Sequence, residues 1–395
     1  MFQQVDFSAL ELPAAARKLQ HEVREFLRAE VAAQTFQPHL GHTEFNAEFT
    51  RKVAARGWIG MTWPKRYGGQ ERSYLERFVV TEEMLAVAAP CAAHWFGDRQ
   101  TGPSLLRYGT EPQKQRFLPA IAHGEFSFAL GMSEPGSGSD LASVKTRAER
   151  VPNGWRVTGQ KVWTSWAHKA HAFFVLCRTS PDSGIRHEGL SQLIVELDAP
   201  GVTIRPIRFL NGSQTFNEVF LDNVFVPDAG VVGAIGQGWK QVTSELALER
   251  SGPERYMTTF PLFTELMRRL GAAPDARALE MVGKLTARLW SLRRMSLAIA
   301  MTLDPGPDGD SDAPKATVDL ATEAALVKDM GTFYEREIID AARLLFEIEP
   351  TPDAADTFER YLAETIVCAP MSTIRGGTTQ VLRSLIARKL LGPLK

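Results

Sequence analysis

The segment MSEPGSGSD, residues 132–140, decides how this chain is read. It follows the apolar run FSFALGM (126–132), which has the length and composition of a strand. Gly136, Ser137 and Gly138 then come in succession. Three residues of minimal side chain let backbone amides turn toward a ligand, and the serine hydroxyls add donors. No Lys-Ser or Lys-Thr follows the glycines, so the segment is not a P-loop, and its spacing is not that of the dinucleotide fingerprint. Such a loop suits a pyrophosphate or the edge of a flavin, although a Gly/Ser-rich loop after a strand is more often only a turn.

Outward from this loop the texture is that of a β domain. FSFALGM, NGWRVTGQKVW, HAFFVLC, LSQLIVEL, VTIRPIRF and NEVFLDNVFV are short runs rich in Val, Ile, Phe and Trp. Turn residues such as Asn153-Gly154 and Pro200-Gly201 separate them, and six runs by residue 226 predict a compact β-barrel or sandwich. On either side the apolar period is helical. Leu19, Val23, Phe26, Leu27 and Val31 make one stripe, and TEEMLAVAA (81–89) carries a second. Between them GWIGMTWPKRYGG (57–69) sets Trp58, Trp63 and Tyr67 among Gly and Pro, the mark of a rigid connecting loop with core aromatics. After residue 237, WKQVTSELALER and three further striped segments predict a four-helix bundle. The expected organisation is therefore α+β and multidomain: a helical domain over 1–126, a β domain over 127–236 and a helical bundle over 237–395. DPGPDGDSDAP (304–314) is expected as an exposed interhelical loop, and no internal repeat is present.

Composition narrows the function. With 395 residues and 44% hydrophobic content, the chain is long enough for two or three cores. Lys+Arg 45 against Asp+Glu 46 gives no global charge for nucleic acid or an anionic membrane, so an anionic ligand must be met locally. The start, MFQQVDFSALELPAAARKLQ, lacks a basic leader and an apolar run, and no window is a membrane span. A soluble, cytoplasmic protein is expected. Cys91, Cys177 and Cys368 are odd in number and far apart, which argues against a disulfide framework and a metal site.

A second segment, GQKVWTSWAHKA (159–170), raises the weight of the first. On a strand, Trp163 and Ser165 share one face, setting a broad aromatic plane beside one hydroxyl donor, a fit for a planar cofactor. With these motifs in place the chain resembles the acyl-CoA dehydrogenase family. MSEPGSGSDLASVKT looks like its flavin-binding signature, GQKVWTSWAHKA like its second signature and IRGGTTQVLRSLIARKLLG (374–392) like its C-terminal one. The helix-β-helix organisation agrees, so the resemblance covers nearly the whole chain.

The resemblance implies an FAD and a coenzyme A thioester. It would set Met132, Ser133 and Gly138 along the flavin, Ser139 toward coenzyme A, and Trp163 over the flavin face away from the substrate. Ser165 stands where relatives place a hydroxyl near the reactive nitrogen, and Thr378 and Gln380 match contacts to the adenosine half. The implied reaction, α,β-desaturation of the acyl chain, needs a carboxylate base and donors for the thioester oxygen. Many members carry the base in the C-terminal motif, where this chain has Gly376. A second branch supplies it from the first helix of the C-terminal domain, and ELALER offers Glu249 there, directly before Arg250, which also matches a family residue. Read from the residues alone, Glu245, Glu249 and Arg250 could equally be a solvated charge cluster. Gly376 and Gly377 could still donate a backbone amide to the thioester. Trp166, where relatives often have a small polar residue, could reshape the pocket or simply pack.

Two family features are missing. The Arg-rich segment ending in Phe-Gly is replaced by LMRRLGAAPDARALEMVGKL (266–285), and residues 335–369 hold no glycine, so the Gln-Gly-Gly of relatives is absent. Both reach a neighbouring subunit's FAD in the family, which implies one of two arrangements: a homo-oligomer that holds FAD mostly by each chain's own loops, or a heterotetramer in which a paralogous subunit supplies the missing half. Electrons would pass to an electron-transferring flavoprotein. The alternatives are a flavin oxidase or monooxygenase on the same fold, and a non-catalytic partner subunit of a heteromeric dehydrogenase.

Overall fold

The computed structural model describes residues 11–38, 43–180, 185–304 and 320–392, and of residues 245–249 it describes the backbone alone. The low-complexity stretch after Asp304 therefore lies outside the described residues. Among the described residues, eight strands form a single sheet with the order β6-β7-β3-β2-β4-β5-β8, and β1 lies beside β4 off this path. The strands are β1 (Phe128–Gly131), β2 (Arg147–Val151), β3 (Gly154–Ser165), β4 (Ala172–Arg178), β5 (Leu190–Glu196), β6 (Val202–Ile207), β7 (Phe216–Pro227) and β8 (Val231–Val232). Each of the six apolar runs becomes a strand. β2 and β8 have no signal of their own, because RAERV sets only two apolar residues, Ala148 and Val151, out of alternation among three charges, and Val231–Val232 is only a pair.

β3 and β7, twelve residues each, pair antiparallel along their length, while β1 runs parallel to β4 from Phe128↔Ala172 to Gly131↔Val175. The β2–β3 hairpin closes one residue earlier than the Asn-Gly dipeptide suggests: Val151 pairs with Gly154, and Asn153 supplies the positive φ of 63°. Ala129, Val157, Phe173, Val175, Val195 and Val219 fill the sheet's core. β6, at the sheet edge, carries Pro206, which an edge strand tolerates because its missing N–H breaks no inner ladder.

The helices are α1 (Ala14–Ala32), α2 (Ala47–Ala55), α3 (Tyr74–Ala86), α4 (Ala92–Phe96), α5 (Gly102–Tyr108), α6 (Glu111–Ala122), α7 (Gly238–Glu249), α8 (Phe260–Leu270), α9 (Ala276–Leu303), α10 (Ala321–Leu345), α11 (Thr357–Ser372) and α12 (Thr379–Leu391). Two compact units result. One holds Met1–His42, Arg72–Ala89 and Ala247–Lys395, and the other holds Thr43–Glu71 and Pro90–Leu246, including the whole sheet.

In the first unit α3 opens with a capping box, Ser73 and Glu76 each accepting from the other's backbone N–H (3.0 and 3.1 Å). Its Leu75, Phe78 and Val79 pack with Ala16 of α1 and with Leu297 and Ala300 of α9. The next two residues of its sequence pattern are charged yet buried. Glu82 takes a two-point ion pair from Arg293 of α9 (2.6 and 2.9 Å), and Glu83 takes one from Arg24 of α1 (2.7 and 2.8 Å). In the second unit Trp58, Trp63 and Tyr67 are buried as core, as the loop's composition predicts. Among the described residues no helix is long and apolar enough to cross a membrane.

Candidate active site

The residues singled out from the sequence fall in both units. In the sheet unit, the loop 132–140 leaves β1 and folds at once into a tight turn: Glu134 and Ser137 exchange backbone N–H···O bonds of 2.8 and 3.0 Å. The Val162 N–H of β3 donates to the Ser133 carbonyl (2.9 Å), and Ser137 Oγ donates to the Asp140 carbonyl (2.7 Å). Met132 packs at the margin of a small core of Val144, Leu176, Leu190 and Val242. Gly138 and Ser139 are exposed. A Cβ on Gly136 or Gly138 would meet nothing within 4 Å, so the chain's own packing does not require glycine there; the room lies open in front of the loop.

Beneath the loop sits a buried ion pair that sequence reading missed. Lys161 is 0% exposed and donates Nζ to Glu134 Oε1 (2.9 Å) and to the Met132 carbonyl (3.1 Å). Glu134 also accepts from the Lys145 N–H (2.6 Å) and the Thr146 N–H (2.9 Å). Burial pushes the Glu134 carboxyl up, but the Lys161 charge and these donors outweigh it and hold it below the usual carboxylate range. The available signal was a lysine and a glutamate inside otherwise apolar or small-residue segments.

On β3 the register slips between Lys161 and Thr164, a bulge that the strand pattern did not announce. Trp163 sits in that irregularity at φ 60° and is 55% exposed, its ring edge-on to Phe216 at 6.0 Å. Thr164 is fully buried and Ser165 half-buried, and the bulge interrupts the strict alternation on which the expected shared face of Trp163 and Ser165 rests. Trp166 is tied down, its Nε1 donating to the Thr43 carbonyl (2.8 Å) and its ring 5.8 Å from Phe45.

In the helical unit, Gly376 and Gly377 form a left-handed turn, φ 66° and 101°, ahead of α12. Arg250 Nε donates to the Gly376 carbonyl (2.9 Å). Thr378 caps α12, accepting from the Val381 N–H (3.3 Å), and Gln380 is exposed. The turn rests on buried polar groups. Lys328 Nζ donates to the Ser372 carbonyl (2.6 Å), and Glu335 accepts the Thr258 N–H (2.8 Å) and its hydroxyl, which also receives Arg375 Nη2 at 3.4 Å. Burial pushes the Glu335 carboxyl up, against the opposing pull of Arg375, Thr258 and Lys328. Glu249 ends α7; its side chain and that of Glu245 lie outside the described residues. Cys91, Cys177 and Cys368 are free thiols.

Comparison with known proteins agrees with these motifs. Residues 13–125 match the acyl-CoA dehydrogenase N-terminal domain, and residues 129–224 match the acyl-CoA dehydrogenase middle domain. Acyl-CoA dehydrogenase FadE34 of Mycobacterium tuberculosis is 34% identical over 397 residues, covering 98% of this chain; the chain spans 51% of that relative's length. Acyl-CoA dehydrogenase IpdE1 of Mycolicibacterium smegmatis is 35% identical over 368 residues, 87% of each chain. Among solved structures, the Tcur3481-Tcur3483 steroid ACAD superposes with a TM-score of 0.81 at 28% identity, covering 98% of this chain and 100% of that one. The ChsE4-ChsE5 complex from Mycobacterium tuberculosis gives 0.79 at 26%, with coverage of 98% and 100%. The architecture of helices, middle sheet and C-terminal helices, the two matched domains and the relatives agree, and the chain belongs to the acyl-CoA dehydrogenase family.

Proposed function

We propose that this chain is the base-bearing subunit of an acyl-CoA dehydrogenase that forms a 2,3-unsaturated thioester. The observation that carries the reading is the bare turn at Gly376–Gly377. With no side chain at 376, the base must come from elsewhere, and Arg250, the residue after Glu249, is bonded to the Gly376 carbonyl. That bond ties the end of α7 to this turn and supports Glu249 as the base. A carboxylate there removes the proton next to the thioester carbonyl, while peptide N–H groups of the turn stabilise charge on the thioester oxygen.

The loop fits an FAD. Its backbone is fixed from below by Lys161 and Glu134, the space before Gly136 and Gly138 is open, and a bulge holds the Trp163 indole outward. When bound, FAD supplies the acceptor for the hydride leaving the third carbon. Within the sheet unit Met132, Ser133 and Gly138 would border the flavin, Trp163 would cover one face, Ser165 would donate a hydroxyl and Ser139 would serve the substrate. Within the helical unit Thr378 and Gln380 would be contacts for the adenosine half, and Arg250 would serve the substrate. Similarity to the Tcur3481-Tcur3483 steroid ACAD and to the ChsE4-ChsE5 complex supports a bulky, ring-bearing acyl group and a paralogous companion chain. An electron-transferring flavoprotein is the proposed acceptor, and hydrogen peroxide released during turnover would point to an oxidase instead.

Glu249→Gln tests the reading. In the assembled enzyme kcat should fall by about 10²–10⁴-fold, the usual worth of a positioned base, with FAD content and acyl-CoA binding retained. Turnover within a few-fold of the parent would assign the chain the role of a non-catalytic partner, which the bare turn also suits.

A further inference from the structure

The Gly376–Gly377 turn lies against two arginines from one short stretch. Arg250 bonds the Gly376 carbonyl, and a Cβ on Gly377 would fall 3.2 Å from its Nη2. Arg255, in the 3₁₀ turn Pro253–Arg255, fills the side-chain space at 376. A Cβ on Gly376 would lie 3.0, 3.2 and 3.3 Å from Nη1, Cζ and Nη2, near-equal distances that a guanidinium gives when it presents its flat face. The arginine has little freedom to retreat. It is 6% exposed, Glu254 lies 3.8 Å from its Nε, and its own carbonyl is pressed to Gly331 of α10, where a Cβ would come within 2.3 Å.

We propose that Arg255 is a positioning residue of the desaturation: its guanidinium occupies the room that a side chain at 376 would need and holds the Gly376–Gly377 peptide bare and left-handed beside the reacting thioester. This rests on the reading of that turn as part of the site. The physical content is a coupling between positions 255 and 376. A planar cation packed flat against a Cα crowds any side chain there, so that the neighbour must yield by a few tenths of an ångström, and the bare turn in turn leaves room for the cation. Arg250 anchors one carbonyl, while Arg255 sets the height at which the peptide sits.

A double-mutant cycle isolates the contact. Gly376→Ala carries two penalties, the strain of a left-handed φ and crowding by Arg255. The strain is the same in both backgrounds and cancels; the crowding vanishes once Arg255→Ala opens the space. Gly376→Ala should therefore cost about tenfold more in kcat when Arg255 is intact than in the Arg255→Ala background, with Tm showing coupling of the same sign. Arg255→Ala alone should lower kcat about tenfold with KM within about twofold, because the peptide relaxes, and Arg255→Lys, which keeps the charge without the flat face, should recover little of it. Where Arg255→Ala does not fold, Arg255→Gln, planar and smaller, replaces it in the cycle. Independent effects at the two positions, with coupling under twofold in both kcat and Tm, would overturn the proposal, as would full rescue by lysine. The Tm arm requires no turnover, so a harmless Glu249→Gln would defeat the functional reading while leaving the contact measurable.

Discussion

Lys161 and Glu134 show how single residues shape the candidate site. A fully buried ammonium is tolerated because a carboxylate and a carbonyl both reach it, and the same carboxylate collects two backbone N–H groups from residues 145 and 146. The pair thus fixes the first residues of the loop to β3 from beneath. Lys161→Met should cost about 3–5 kcal/mol, since it strands a buried carboxylate, and should loosen the loop enough to speed FAD loss. The denaturation midpoint and the flavin released on gel filtration report the two effects; a stable variant with normal flavin retention would show the pair to be idle. The pH dependence has a definite sign. Because the Glu134 carboxyl is depressed in the folded chain, its contribution is present above the unfolded carboxyl value of about 4.5 and is lost as pH falls below it. Glu134→Gln should remove that acid-side loss. Neither residue was legible as a pair, for burial of a charge depends on its partner, and the partner here lies 27 residues away.

At the scale of elements, sequence pattern carried most of the fold. The stripe Leu19, Val23, Phe26 and Leu27 is buried in α1 as periodicity predicts, with Val31 half-buried, and each apolar run from 126 to 226 is a strand. Pattern failed where an element's identity comes from its neighbours. β2 exists because β3 offers it a ladder, and the π-helical turn Gly97–Thr101 between α4 and α5 leaves no mark in the residue period. Helix α3 is the instructive case. Its apolar face predicts burial, yet the face continues as Glu82 and Glu83, each neutralised by an arginine from another helix. Arg293→Met should cost about 3 kcal/mol, the lower end for a broken buried pair because Arg293 is partly exposed. Replacing both residues by Met should recover much of that loss, as apolar packing is a fair substitute for a buried pair. Urea unfolding of the three proteins measures it, and equal cost for single and double variants would show that the carboxylate finds other partners.

At the scale of the whole molecule, the question is what completes the assembly. The segment 266–285, where the family resemblance leads one to expect an arginine-rich stretch, is the end of α8, Gly271 at φ 68° and the start of α9. On α9, Leu279 and Trp290 stand 58% and 63% exposed, eleven residues apart and so about three turns along one face. On α10, Met330 and Phe333 are also exposed, one turn apart, with Leu344 a further three turns on. Large side chains left in water at helical spacing are what a subunit interface covers, whereas scattered single exposures need no explanation. In the proposed heteromer the companion chain would seat on these helices. The chain purified alone should then retain less than one FAD per copy, and co-expression with its paralogue should restore tight flavin in a heteromer. Trp290→Glu should leave the helical signal and Tm of the isolated chain nearly unchanged, because an exposed side chain contributes little to its fold. In the co-expressed pair the same change should abolish association, since the interface would have to bury an unpaired carboxylate. Light scattering on both samples decides the matter: an unaltered heteromer carrying glutamate at 290 removes α9 from the interface, and one firmly held FAD per isolated chain removes the need for a companion.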